Sequence, residues 1–149
     1  MSIIIRYSIF CVVYIYLSLF ASHIIMPLLH TTYYIRLFQS YIKADIGTAQ
    51  VSLPPLLESS ELVVVRYALP FGLSAEPQDG QVIVTKNGKE KDGEKVGDIL
   101  RQTTYWRGKE PGLFDVSKNA DNFDLVVQAL ITNDLAVADE IVLVFERPC

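Results

Sequence analysis

Along the chain the spacing of apolar and polar positions changes character twice. From Tyr7 to Leu29, "YSIFCVVYIYLSLFASHIIMPLL" runs for 23 residues without a formal charge. At about 1.5 Å per residue a helix of that length spans roughly 35 Å, enough for a hydrocarbon core of about 30 Å. From Leu62 onward the period is that of strands. Leu62 to Ala68 is apolar and β-branched, interrupted by Arg66, and Leu73 to Glu76 alternates. Pro77-Gln78-Asp79-Gly80 then turns the chain into Gln81 to Thr85, which predicts a hairpin. Asn87-Gly88 is a second turn, and "KEKDGEK" is a solvated loop in which Glu90, Asp92 and Glu94 alternate with lysines. Gly97-Asp98 turns the chain again, into a strand that starts at Ile99.

One segment has a different period. In "ADNFDLVVQALITN" the residues Phe123, Val126, Val127 and Leu130 fall at i, i+3, i+4 and i+7, one face of a helix ending near Asn133 and capped by Asp121. "DEIVLVFERP" closes the order as a strand stopped by Pro148. The pattern predicts a mostly β, α+β domain with one main helix, preceded by an N-terminal apolar helix. Three parts follow: residues 1–49 as a membrane anchor or targeting segment, 50–60 as a semi-rigid linker carrying Pro54 and Pro55, and 61–149 as the folded domain.

Several readings of the apolar segment stay open. A signal anchor fits better than a cleaved signal peptide, because the run is long and bulky Leu19 or Phe20 occupies the place of a small residue at a cleavage site. Tyr7, Tyr33 and Tyr34 lie near its ends, as interfacial rings do. A plastid-type presequence would need more serines than "HTTYYIRLFQSYIKADIGTAQ" supplies. The richness in Ile, Tyr, Phe and Ser also resembles translated AT-rich untranslated sequence. His23 and His30, the only histidines, both fall in this part, in an uncharged or interfacial setting.

Charge separates the same two parts. Residues 1–57 hold three basic residues and one acid, whereas 58–149 hold ten basic and sixteen acidic residues. A net-acidic domain lacks the basic face that phosphate binding needs, so nucleic acid is excluded as a partner. Two cysteines, Cys11 and Cys149, make neither a disulfide framework nor a metal site. The domain has no histidine and no phosphate loop, and nothing in the pattern brings a pair such as Asp115 and Asp121 together for acid and base work. The chain is therefore expected to be non-enzymatic and to need no cofactor.

The stretch "VVVRYALPFGLSAEP", Val63 to Pro77, breaks an otherwise uniform strand with Pro70 and Gly72. A buried strand gains nothing from losing an N–H and a side chain, so the break marks a place where backbone groups serve another purpose.

Three motifs in order carry a resemblance: "PFGL" (Pro70 to Leu73) after a strand bearing Arg66, "VGDIL" (Val96 to Leu100) before the next strand, and "FDLVVQAL" (Phe123 to Leu130) before the last. Over about 90 residues the second part resembles the PDZ domain, and particularly the divergent PDZ-like domains of plastid-related proteins in plants and algae. The resemblance implies a small, partly open β-barrel whose partner is a protein or peptide C-terminus, added as a strand between the second strand and the helix. The peptide site it implies comprises Arg66, Phe71, Gly72, Leu73, Phe123, Val127 and Leu130. Backbone N–H groups of Phe71, Gly72 and Leu73 would face the carboxylate with Arg66 helping to hold it. Phe123, in place of the family's frequent histidine, implies an apolar preference, with Val127 and Leu130 lining the groove beside Leu73. Pro70 stands where the family has its first loop glycine and removes one N–H. "KEKDGEK" replaces a small helix, and "TTYWRGKEPG" is a longer excursion than the family's.

The expected function is a non-enzymatic interaction module held at a membrane by its N-terminal segment, with a plastid as the compartment the resemblance points to. A structural subunit of a membrane complex, photosynthetic by the same resemblance and with no free groove, is the alternative. The regulatory remnant of a processing protease is a third reading.

Overall fold

The structure, a computed structural model, describes residues 38–44 and 47–149, with side chains from Val51 onward. The expected N-terminal apolar helix lies outside the described residues. What they form is mostly β, with one helix and an open antiparallel sheet. Strands β1 (Phe38–Ala44) and β2 (Gly47–Leu53) make a two-stranded ladder of their own. Then follow β3 (Ser60–Ala68), β4 (Ala75–Gln78), β5 (Gln81–Val84), β6 (Ile99–Arg107), β7 (Glu110–Asp115), the helix α1 (Phe123–Ile131) and β8 (Glu140–Pro148).

The six strands from β3 onward share one sheet in the order β3-β8-β6-β5-β4, with β7 also paired to β6. Its longest ladder joins β3 to β8, from Ser60↔Pro148 to Ala68↔Glu140. Successive residues on a strand face opposite sides, yet Leu62 to Val65 and Ile141 to Glu146 are all buried. Both faces of this ladder are therefore covered, which is why its sequence reads as a continuous apolar run. Val63, Val65, Leu143 and Phe145 pack under the helix with Val82, Val84, Leu100 and Val126. On the opposite face Leu62, Val64, Val142 and Val144 pack against Val51 and Leu53 of β2.

That second layer changes the meaning of residues 50–60, expected as a linker. Their first part is the buried end of β2, and the rest is tied down by one carboxylate. Glu146 accepts hydrogen bonds from the backbone N–H groups of Leu56 (2.9 Å) and Leu57 (3.0 Å) and from the Ser60 hydroxyl (2.7 Å). Arg101 donates to the same carboxylate as its ion-pair partner. A register shift between Leu100 and Gln102 in the β6–β8 ladder places Arg101 at the irregularity, where bulges re-aim a side chain. The guanidinium also donates to the Pro54 carbonyl at 2.9 Å and to the Ser117 hydroxyl at 2.6 Å.

Local expectations are corrected at Glu94, Asp121 and Pro77, and the "TTYWRGKEPG" excursion takes a definite form. Glu94 is not on a solvated loop: it is 3% exposed and accepts a hydrogen bond from the Tyr67 hydroxyl. "TTYWRGKEPG" is a hairpin, β6 into β7, that turns at Gly108 (φ 64°). Gly112 is required there, since a Cβ would sit 2.6 Å from Cε1 of the Tyr105 ring that lies over it. Asp121 does not cap α1; the N-cap residue is Asn122, and it makes no side-chain capping bond. The β4–β5 hairpin is as expected, with Asp79 (φ 49°) and Gly80 (φ 72°) both in the left-handed region that a two-residue turn of this kind needs. Pro77, however, belongs to strand β4, and not to the turn.

Candidate functional site: the free edge of β4 and the open flank of α1

Strand β4 ends the sheet order, so among the described residues no strand pairs with its outer edge. Register decides which groups that edge presents. In a two-residue hairpin the flanking residues, here Gln78 and Gln81, exchange hydrogen bonds, and bonded pairs then alternate along the ladder. Thr85 N–H donates to the Ser74 carbonyl at 2.8 Å, in the same parity. Ser74, Glu76 and Gln78 therefore turn their backbone groups toward β5, while Leu73, Ala75 and Pro77 turn theirs outward. Pro77 has no N–H, so the outer edge offers donors at Leu73 and Ala75 and only a carbonyl at Pro77.

The helix supplies the facing wall. Val126 and Ala129 are its buried residues. One flank is bonded to β6: Trp106 N–H donates to the Thr132 hydroxyl at 2.9 Å, and Asn133 Nδ2 donates to the Thr104 carbonyl at 2.7 Å. At about 100° per residue, Phe123, Val127 and Leu130 lie on the other flank, with Asp124 and Ile131 at its outer rim. Phe123 and Leu130 pack partly against the first core, whereas Val127 is 38% exposed and Ile131 68% exposed. Two contacts fix how helix and strand run past each other. Asp121, just before the helix, lies 3.6 Å from where a Cβ of Gly80 would stand, at the end of β4. After the helix, the Asp139 carbonyl accepts from Leu69 N–H at 3.0 Å, just before the loop that leads into β4. The start of the helix thus stands beside the end of β4, and the chain returns from the helix to the strand end that precedes the loop, so helix and β4 run antiparallel.

The "PFGL" loop opens one end of this channel. Phe71 and Leu73 pack partly against the first core, and Gly72 is exposed. Within the described residues none of the backbone N–H groups of Phe71, Gly72 and Leu73 donates a hydrogen bond. Gly72 has no heavy atom within 4 Å of a built Cβ, and its backbone is outside the left-handed region. The fold itself does not demand glycine at this position.

Of the residues expected at the site, Phe71, Leu73, Phe123 and Leu130 pack against the same core, with Gly72 between the first two in the loop and Val127 on the helix flank between the last two. Arg66 is not among them. It shares the strand face of Leu62 and Val64, opposite the helix, and its guanidinium lies 3.8 Å from the Glu140 carboxylate. Sequence reasoning missed Ala75, whose outward N–H follows only from the ladder's parity, and Ile131, which continues the Val127 flank by one turn.

A second cluster of polar groups fixes the loop that precedes β6. Arg147 donates from Nε and Nη2 to the two carboxylate oxygens of Asp98 at 2.8 and 2.7 Å, and from Nη2 to the Gly93 carbonyl at 2.9 Å. The Asp98 pairing raises the Arg147 pKa further above its ordinary value. Burial first, and then the Glu94 carboxylate to which it donates, push the Tyr67 phenol above its usual range. Among the described residues no group of three His, Cys, Asp or Glu is placed to hold a metal ion. Compared with known proteins, the chain matches no family model, no curated protein and no solved structure.

Proposed function

We propose that this chain is a non-enzymatic interaction module, PDZ-like in fold, that takes an extended peptide with an apolar preference as an added strand on β4. The observation that carries the reading is the unpaired edge of β4 running antiparallel to the open Phe123–Val127–Leu130 flank of α1. Strand addition gives affinity through main-chain hydrogen bonds, here to Leu73 and Ala75, and the apolar flank gives choice among side chains. The element order also supports it: strand, "PFGL" loop, hairpin, paired strands, helix, and a last strand beside the first. An unfilled edge this close to an apolar flank is otherwise a liability for self-association.

Fluorescence anisotropy with the full chain and a labelled library of extended peptides tests the reading. Apolar peptides are expected to bind in the micromolar range, and Val127→Asp, an exposed substitution, is expected to weaken them at least tenfold. Failure of every peptide to bind below millimolar, or indifference to Val127→Asp, would leave the alternative of a structural subunit with a filled groove.

A further inference from the structure

We infer that the occupant of the β4–α1 channel is an internal extended segment of a partner carrying Lys or Arg, and not a free carboxy terminus. This inference rests on the peptide-binding reading above and narrows it.

The first ground is the distribution of charge on the two walls. Between Tyr67 and Thr85, which include the loop and β4, there is no basic residue, while Glu76 and Asp79 are acidic and exposed. Between Asn119 and Glu146, which include the helix and the segment after it, there is again no basic residue, and Asp121, Asp124, Asp134 and Asp139 are exposed. Lys118, the nearest cation before the helix, lies 3.2 Å from the Asp115 carboxylate. Low potential along both walls attracts cationic side chains and repels a carboxylate.

The second ground is the loop where a carboxylate would sit. Pro70 removes one backbone donor there, and Arg66, the residue expected to hold the anion, is on the far face beside Glu140. Asp139 is held next to the loop through its carbonyl bond to Leu69. Among the described residues, a terminal carboxylate would meet three neutral N–H groups, with Asp139 nearby in the fold and no cation placed beside them. A peptide carbonyl of a continuing chain needs only the N–H groups.

The third ground is that the apolar surface does not stop at the loop. Ile131, the last residue of the helix, is 68% exposed, and Leu135, between the helix and the Asp139 that bonds to Leu69, is 62% exposed. A chain that ends at the loop leaves them bare; a chain that continues past it covers them. At the other end Pro77 stops the ladder, so the paired part is short, about three residues opposite Leu73 to Ala75, and the charged mouth at Asp79, Asp121 and Asp124 meets what lies upstream.

Four labelled ten-residue peptides titrated against the full chain decide it: alternating valine and lysine as the amide and as the free acid, and alternating valine and glutamate in the same two forms. The lysine amide is expected to bind at least as tightly as its free acid, and about tenfold tighter than the glutamate amide at low salt, the gap closing as salt rises. Asp121→Lys with Asp124→Lys, both exposed positions, is expected to remove most of that gap. A free acid binding tenfold tighter than its amide, or glutamate matching lysine, overturns the inference while leaving strand addition intact. Binding by none of the four overturns both.

Discussion

Arg101 and Glu146 stand 45 residues apart in sequence and meet as an ion pair that is 2% and 0% exposed, between the sheet and the segment leading into β3. Further hydrogen bonds from Leu56, Leu57 and Ser60 to Glu146, and from Arg101 to Pro54 and Ser117, complete the pair, so losing either member strands the other. Breaking a buried pair by removing one partner costs about 3–5 kcal/mol, because the other charge stays buried. Arg101→Met is expected to lower the unfolding free energy in urea by that amount. Glu146→Ala is expected to do the same and to accelerate amide hydrogen exchange at Leu56 and Leu57, which lose their acceptor. Slow exchange there in the variant would show that other contacts hold the segment.

Tyr67 carries a pH signature. Its folded pKa is raised above the ordinary value of 10.0, so the native state holds its proton more tightly than the unfolded chain. That contribution to stability is full below pH 10 and is lost as pH rises beyond it. Urea midpoints measured from pH 8 to 11 should fall for the natural chain, and fall less steeply for Tyr67→Phe. At neutral pH the same substitution removes a donor from the buried Glu94 carboxylate and is expected to cost about 1–3 kcal/mol.

Gly72→Ala separates folding from binding. With open space around a Cβ and no left-handed backbone, alanine should leave the protein as stable or raise its stability by about 0.4–1 kcal/mol. Peptide affinity should drop, since the new methyl group stands where a ligand backbone approaches. Unchanged affinity would place the ligand elsewhere.

Pro77→Val restores an outward N–H to the edge of β4. Peptides longer than five residues are expected to gain affinity, and the free protein is expected to self-associate more readily in light scattering, as unblunted edges do. Arg66→Ala serves as the control. Its pairing with Glu140 is half-buried but loose, at 3.8 Å, and is worth about 1 kcal/mol, and peptide affinity should not move.

Much of this fold is legible in the residues. The β3 run, the Asp79-Gly80 hairpin, the strand from Ile99 and the Phe123-to-Leu130 helix each follow from local period and turn chemistry, and each is present. The failures have a common physical origin. A strand buried on both faces gives no sign of which parity the helix covers, so Val63 and Arg66 could not be assigned to sides. Glu94 sits among lysines in sequence, and only the fold brings Tyr67 over it. Arg101 and Glu146 are charged residues in strands, and their pairing across the sheet depends on a register shift that no local pattern announces. The loop residues Phe71 to Leu73 and the helix flank of Phe123, Val127 and Leu130 follow from local signals, whereas the side taken by Arg66 depends on strand parity.

The Glu146 carboxylate also has a mechanical meaning. Strand β3 enters the sheet at Ser60, directly beside Pro148 at the far end of β8, so tension between residues 50 and 149 would open this ladder one pair at a time, the weakest loading geometry for a sheet. The bonds from Leu56 and Leu57 to Glu146 lie ahead of that first pair, and the Ser60 hydroxyl bond lies at it. They act as a latch that must release before unzipping begins, and they shield the sheet from whatever pulls on the residues upstream.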